Sequence, residues 1–219
     1  MKLTALLCLL AAAPLAAQRK PGSPLDHLPG NIEVLTYFGE RADISPDNQR
    51  VAFMNKSFGD ALAIDLKTRA IRCLTCNVPG AAFLRVMHLA TGDYILIGPE
   101  KFTDIHVSRS RDNELWFLGK ERGSKPVRLD AKMSEGAAIS KKSLKIAFSE
   151  TPDQHPEFAP GYSRLVTADV ALSGSTARLT NRKVVWESKD RGARLRRRTS
   201  TTTTGRWCSP ATSPRAWPP

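Results

Sequence analysis

The chain has 219 residues, with 33 Lys and Arg against 21 Asp and Glu and a formal net charge of +12. That length is enough for one domain with a sizeable core. The charge sits at the ends: Arg191 to Pro219 holds seven Arg and no acid, and Lys2 adds one, so residues 18–190 carry only +4. A nucleic-acid footprint is a basic patch built into a fold, so DNA and RNA are not expected partners.

Lys2 precedes an apolar run from Leu3 to Ala13, broken only by Thr4, and Pro14 and Ala16-Ala17 lead into polar Gln18-Arg19-Lys20. This order of positive, apolar and small residues predicts a signal peptide over residues 1–17 and a secreted, extracellular chain. A run of eleven residues falls short of the about 20 that a spanning helix needs. No membrane association is expected after signal cleavage.

Residues 18–40 read as a linker and a leading strand. Gln18 to Gly30 has three prolines and two glycines, while Asn31 to Phe38 alternates toward apolar side chains and is expected to pair with a distant blade. Beyond it a phrase recurs. Ala42-Asp43-Ile44-Ser45-Pro46-Asp47-Asn48-Gln49-Arg50-Val51-Ala52-Phe53 returns 95 residues later as Ala137-Ala138-Ile139-Ser140-Lys141-Lys142-Ser143-Leu144-Lys145-Ile146-Ala147-Phe148. A degenerate copy, Val86 to Ile97, lies between. Half the interval matches a stacked β-unit of ~47 residues.

In chain order, strands are predicted ending at Ile44, then over Arg50–Asn55, Ala61–Leu66 and Ala70–Leu74 in the first repeat. The middle repeat supplies Asn113–Leu118 and Pro126–Leu129, joined by Gly119–Lys125. The last supplies Leu165–Val170 and Thr176–Thr180 around a turn at Ser173-Gly174. Ser45-Pro46-Asp47-Asn48 is a turn: Pro pre-sets its backbone angle, and Asp and Asn bond the local backbone. Four short strands per repeat make a propeller blade, so the fold class is all-β, a partial β-propeller of about three four-stranded blades over residues 41–190.

Ile44-Ser45-Pro46-Asp47 followed by Val51-Ala52-Phe53, Ile64-Asp65-Leu66-Lys67-Thr68 and Leu74-Thr75 resembles the WD40-like repeat of TolB-type six-bladed propellers, in the style of secreted fungal proteins. The second and third copies depart from the pattern, with Lys141-Lys142-Ser143 in place of the Pro-Asp-Gly-like turn. The resemblance implies six blades where about three are present. Residues 191–219, with the run Arg196-Arg197-Arg198 followed by Thr and Ser, are expected to be a disordered tail. The abrupt change after Asp190 reads as a shifted frame or mis-predicted exon, with an ordinary tail or a basic arm as alternatives, and hence as a truncated product. Open blade edges would favour self-association.

Cys8 leaves with the signal and Cys208 lies in the tail, which leaves Cys73-Leu74-Thr75-Cys76. In a secreted chain the expected state is a Cys73–Cys76 disulfide; free thiols and metal or redox chemistry are the alternatives. Asn55-Lys56-Ser57 is an N-glycosylation sequon. His27, His88, His106 and His155 are scattered singly, and His88 reads as a satisfied core histidine. His155 is a weak candidate for a metal or substrate contact at a blade rim. No G-x-S-x-G elbow occurs, and no phosphate-cradling or EF-hand pattern.

No catalytic residue is assigned. The reading is a non-catalytic secreted scaffold for a protein, peptide or glycan, bound by loops on a rigid frame: Asn55–Asp60, Gly98–Asp104 and Thr151–Tyr162. Asp104, His106, Arg109 and Tyr162 are the candidate ligand contacts. No cofactor is expected. The alternatives are a metal-dependent lactonase- or esterase-like propeller, with a divalent ion such as calcium, and the propeller of a serine peptidase lacking its catalytic domain.

Overall fold

A computed structural model describes residues 22–133 and 135–188. The signal segment, the basic tail, Cys8 and Cys208 lie outside the described residues. The chain divides between Tyr37 and Phe38.

In the first unit a 3-10 turn spans Pro24–His27. Ser23 caps it: its Oγ accepts from the Leu25 N–H at 3.2 Å while its own N–H donates to Asp26 at 2.9 Å, a reciprocal cap. The strand expected over Asn31–Phe38 is absent. Among the described residues the segment joins no strand ladder, and Ile32 and Tyr37 remain 52% and 88% exposed, so little apolar burial rewards an extended pairing.

The second unit is three antiparallel sheets, each of four strands in sequence order. Blade 1 contains β1 (Glu40–Ile44), β2 (Arg50–Met54), β3 (Ala61–Asp65) and β4 (Ile71–Cys73). Blade 2 contains β5 (Arg85–His88), β6 (Tyr94–Gly98), β7 (Glu114–Leu118) and β8 (Val127–Lys132). Blade 3 contains β9 (Ala137–Ile139), β10 (Lys145–Glu150), β11 (Arg164–Ser173) and β12 (Thr176–Glu187). These are three blades of a partial β-propeller.

The first strands are short because a serine-organised turn ends two of them. Ser45 Oγ donates to Asp47 at 2.6 Å and accepts from the N–H groups of Gln49 and Arg50 at 3.2 and 2.9 Å. Asn48 takes the left-handed backbone there, φ 56°. Ser140 repeats the device, its Oγ accepting from the N–H groups of Lys142 and Ser143, each at 3.2 Å. In blade 2 the position is Leu89, and Gly92 at φ 84° makes the turn instead. The recurring phrase is therefore a turn device, and its copy in blade 2 is degenerate because glycine replaces it.

Alternation along β6 shows how the blades stack. All five of its residues are buried. Tyr94 and Leu96 pack with Ala52, Met54, Ala61 and Ala63 of blade 1, whereas Ile95 and Ile97 pack with Ile146, Phe148, Val166 and Ala168 of blade 3. Successive strand residues face opposite sides, so the middle sheet has two apolar faces, and each fully buried aliphatic side chain contributes about 1.5–3 kcal/mol.

The first strands lie nearest the common axis, because there alone, among the described contacts, blade 1 reaches blade 3. Lys141 beside β9 touches Asp43 of β1, and Glu135 before β9 touches Arg41. Strand direction then defines two faces. One, called the top here, carries the starts of β1, β5 and β9 and the loops 55–60, 99–113 and 151–163. The other carries the turns 45–49, 89–93 and 140–144.

Candidate ligand-binding face

The top-face loops are cross-tied. Phe58 from the blade 1 loop meets Phe102 of the blade 2 loop, ring centroids 5.0 Å apart. Gln154 of the blade 3 loop donates to the Ser110 carbonyl in the blade 2 loop. Within the blade 2 loop, Asp104 caps the helical turn Ile105–Val107 by accepting from the N–H groups of His106 and Val107 at 2.8 and 2.9 Å. The turn widens over Ser108–Asp112 and directs Arg109 toward the axis.

There Arg109 joins residues from the other blades. Arg109 Nε lies 3.5 Å from Glu135 Oε1, and Arg41 NH2 lies 3.9 Å from the same oxygen. Arg41 is placed by a bulge: β1 loses register with β2 between Glu40 and Asp43, and Arg41 sits at φ 56°. Bulges re-aim side chains at rims and sites. Arg41 also pairs with Glu40 and donates to Ser57 Oγ at 2.6 Å, and Ser57 donates to Glu40. Arg85, first residue of β5, lies among these charges, and its side chain makes no hydrogen bond or ion pair among the described residues; its Nε is buried. Burial first, and then the Arg41 charge, pull its guanidinium below the usual arginine value, with Glu135 opposing.

Of the candidate contacts read from sequence, Arg109 enters this cluster. Asp104 and His106 serve the helical turn beside it, with the His106 ring exposed. Tyr162 has other partners: its hydroxyl donates to Glu187 at 2.7 Å and its ring meets Phe158 edge-on. Phe158 stacks on His155 and lies under Arg164, 4.6 Å from its centroid. Buried Glu150 holds Arg164 and Arg182 at 2.5 and 2.6 Å. His155 lies 3.0 Å from Glu157; this group braces the blade 3 loop.

Asn55 Oδ1 accepts from the Asp60 N–H at 2.9 Å, so both Asn55 and Ser57 of the sequon help close the blade 1 loop. Cys73 and Cys76 form a disulfide, with Cα atoms 5.7 Å apart. Asp60 lies close enough to complete a set of potential metal donors with them, but sulfurs bonded to each other offer no thiolate.

The opposite ends of the first strands carry a second polar group. Asp43 Oδ2 accepts from the His88 N–H at 2.7 Å and from Lys141 Nζ at 2.6 Å, and lies 3.1 Å from His88 Nδ1. Burial pushes the Asp43 carboxyl up, but hydrogen bonds from His88 and Lys141 outweigh it and hold it below its ordinary value. His88 is 1% exposed and only half satisfied: its Nε2 has no hydrogen-bond partner among the described residues. A cleft of 640 Å³ opens below, lined in part by Ser45, Arg50, Arg72, His88 and Arg122.

Sequence reasoning missed Arg41, Arg85, Glu135, Asp43 and Lys141. The repeat itself carried a signal. With Ser45, Leu89 and Ser140 aligned as turn residues, Arg41 and Arg85 both stand four positions earlier, and Glu40 and Glu135 five.

No protein-family model matches the chain, and no curated protein matches it. Among solved structures it is similar to TolB of Agrobacterium tumefaciens, with 14% identity, a TM-score of 0.48, and coverage of 70% of this chain and 51% of that one. For TolB of Acinetobacter baumannii the figures are 19%, 0.44, 67% and 34%. For hydrazine synthase of Kuenenia stuttgartiensis they are 12%, 0.38, 60% and 40%. The chain spans about half the length of the first and less of the others. The class, a set of β-propeller blades, rests on the three sheets and their face-to-face stacking.

Proposed function

We propose that the chain is a secreted, non-catalytic propeller-type scaffold that binds a protein or peptide at its top face. The observation that carries this reading is the cross-tying of three loops, one from each blade, around charged strand ends at the axis. Loops held by a rigid frame are the usual carriers of binding. Secretion is supported by the Leu3–Ala13 run and Ala16-Ala17.

A metal-dependent hydrolase would need axial acids free for a cation. Asp43, Glu40 and Glu135 are each paired with a cation instead, which favours the scaffold reading.

The test is selection of peptides against the full chain from a random library, followed by affinity measurement on two variants. Phe102→Ala with Ile105→Ser, both exposed on the top face, is expected to weaken binding at least 10-fold. Thr91→Ala on the opposite face is expected to leave it unchanged. The reverse pattern would overturn the assignment.

A further inference from the structure

We propose that Arg85 is the anchor of a subsite for one carboxylate group of a bound peptide, with Arg41 and Arg109 as its flanks; this rests on the top face being the ligand face. The structure gives three reasons.

The first is the unsatisfied state of Arg85. Shielding a guanidinium N–H from water without giving it an acceptor carries a cost. Arg85 is half-buried, its Nε is shielded from solvent, and no acceptor among the described residues meets it. A planar fork of donors held in this way matches a carboxylate in two-point contact.

The second reason is the charge count. Arg41 is matched by Glu40 and Arg109 by Glu135. One positive charge, that of Arg85, is left over. A single carboxylate completes the balance, whereas a phosphate dianion would add uncompensated charge beside Glu40 and Glu135. Arg109 Nε is also buried without a hydrogen bond, so the flanks have donor capacity to spare.

The third reason concerns the loop that supplies one of the flanks. Phe102 and Ile105, on the loop that delivers Arg109, are 41% and 51% exposed. Exposed apolar side chains on the loop that carries a flanking arginine suit a peptide that presents a carboxylate near an apolar residue. A uronic-acid sugar offers the carboxylate without the apolar neighbour.

The subsite is tested on the full chain by calorimetric titration and by the Arg Nε–H resonances in NMR. The probes are N-acetyl-Ala-Ala-Leu with a free C-terminus, its C-terminal amide, N-acetyl-Ala-Glu-Leu amide, glucuronate and inorganic phosphate at matched ionic strength. At least one peptide bearing a carboxylate is expected to shift the Arg85 Nε–H signal and to bind about 10-fold more tightly than the neutral amide. The free C-terminus and the glutamyl peptide separate the two sources of the group. Arg85→Gln is expected to abolish this preference; Arg85→Lys, which keeps the charge but not the fork, is expected to restore it only in part. Equal binding of acid and amide forms overturns the subsite, as does an unaltered preference in the Gln variant. Glucuronate or phosphate binding more tightly than the peptides overturns the peptide assignment. If library-selected peptides bind this protein but ignore Phe102 and Ile105, the scaffold reading fails; if they need those residues and ignore Arg85, only the subsite fails.

Discussion

Lys141 Nζ donates to Asp43 Oδ2 at 2.6 Å across 98 residues of sequence, tying the turn of blade 3 to the first strand of blade 1. Asp43 also takes the His88 N–H of blade 2, so a single carboxylate joins all three blades at the axis. Asp43→Ala is expected to destabilise the protein by about 2–4 kcal/mol, because it strands a partly buried ammonium and a buried N–H together. Urea unfolding measures this. A loss no larger than that of the exposed Asp153→Ala would contradict the role.

Acid should release the same clamp. The folded Asp43 carboxyl titrates below its ordinary value of 3.8. A depressed carboxylate contributes stability that is fully present above the unfolded value and is lost as pH falls through the folded one. Unfolding free energy measured between pH 5 and about 2 is therefore expected to fall less steeply in Asp43→Asn than in the wild type. Parallel curves would show that Asp43 has no such part.

The two faces of β6 can be probed separately. Leu96→Ala opens a cavity between blades 1 and 2, and Ile95→Ala one between blades 2 and 3. Each residue is fully buried, so each change is expected to cost about 2–5 kcal/mol. If either were tolerated within about 0.5 kcal/mol, the stacking of sheets on both sides of blade 2 would be wrong.

The disulfide contributes less. It closes a ring with a sequence separation of 3, for which loop-closure entropy gives about 2 kcal/mol at most. Cys73→Ser with Cys76→Ser is expected to lower Tm by several degrees and to leave peptide binding intact. Loss of binding would place the Cys73–Cys76 turn in the ligand site.

Much of the fold was legible, because strand patterning and turn chemistry are local. The Ser45 turn and the alternation of Val51 and Phe53 are written in neighbouring residues. The last strands were underestimated: β11 and β12 run to Ser173 and Glu187, since a long hairpin can extend its ladder beyond the apolar stretch. The leading strand failed because Ile32 and Val34 supply an apolar pattern, while no ladder forms on it among the described residues. The charged cluster was hidden for a different reason. Arg41, Arg85, Arg109 and Glu135 come from three blades, and only closure of the sheets around an axis brings them together. Arg109 was singled out by its loop, whereas Arg85 looked like the opening residue of an ordinary strand.

The most direct measurement is hydrogen exchange of the full chain with and without a library-selected peptide. Binding at the top face predicts slowed exchange in 55–60, 99–113 and 151–163, with 45–49, 89–93 and 140–144 unchanged. Protection confined to the turns would place the ligand at the opposite end of the blades and contradict the assignment of the binding face.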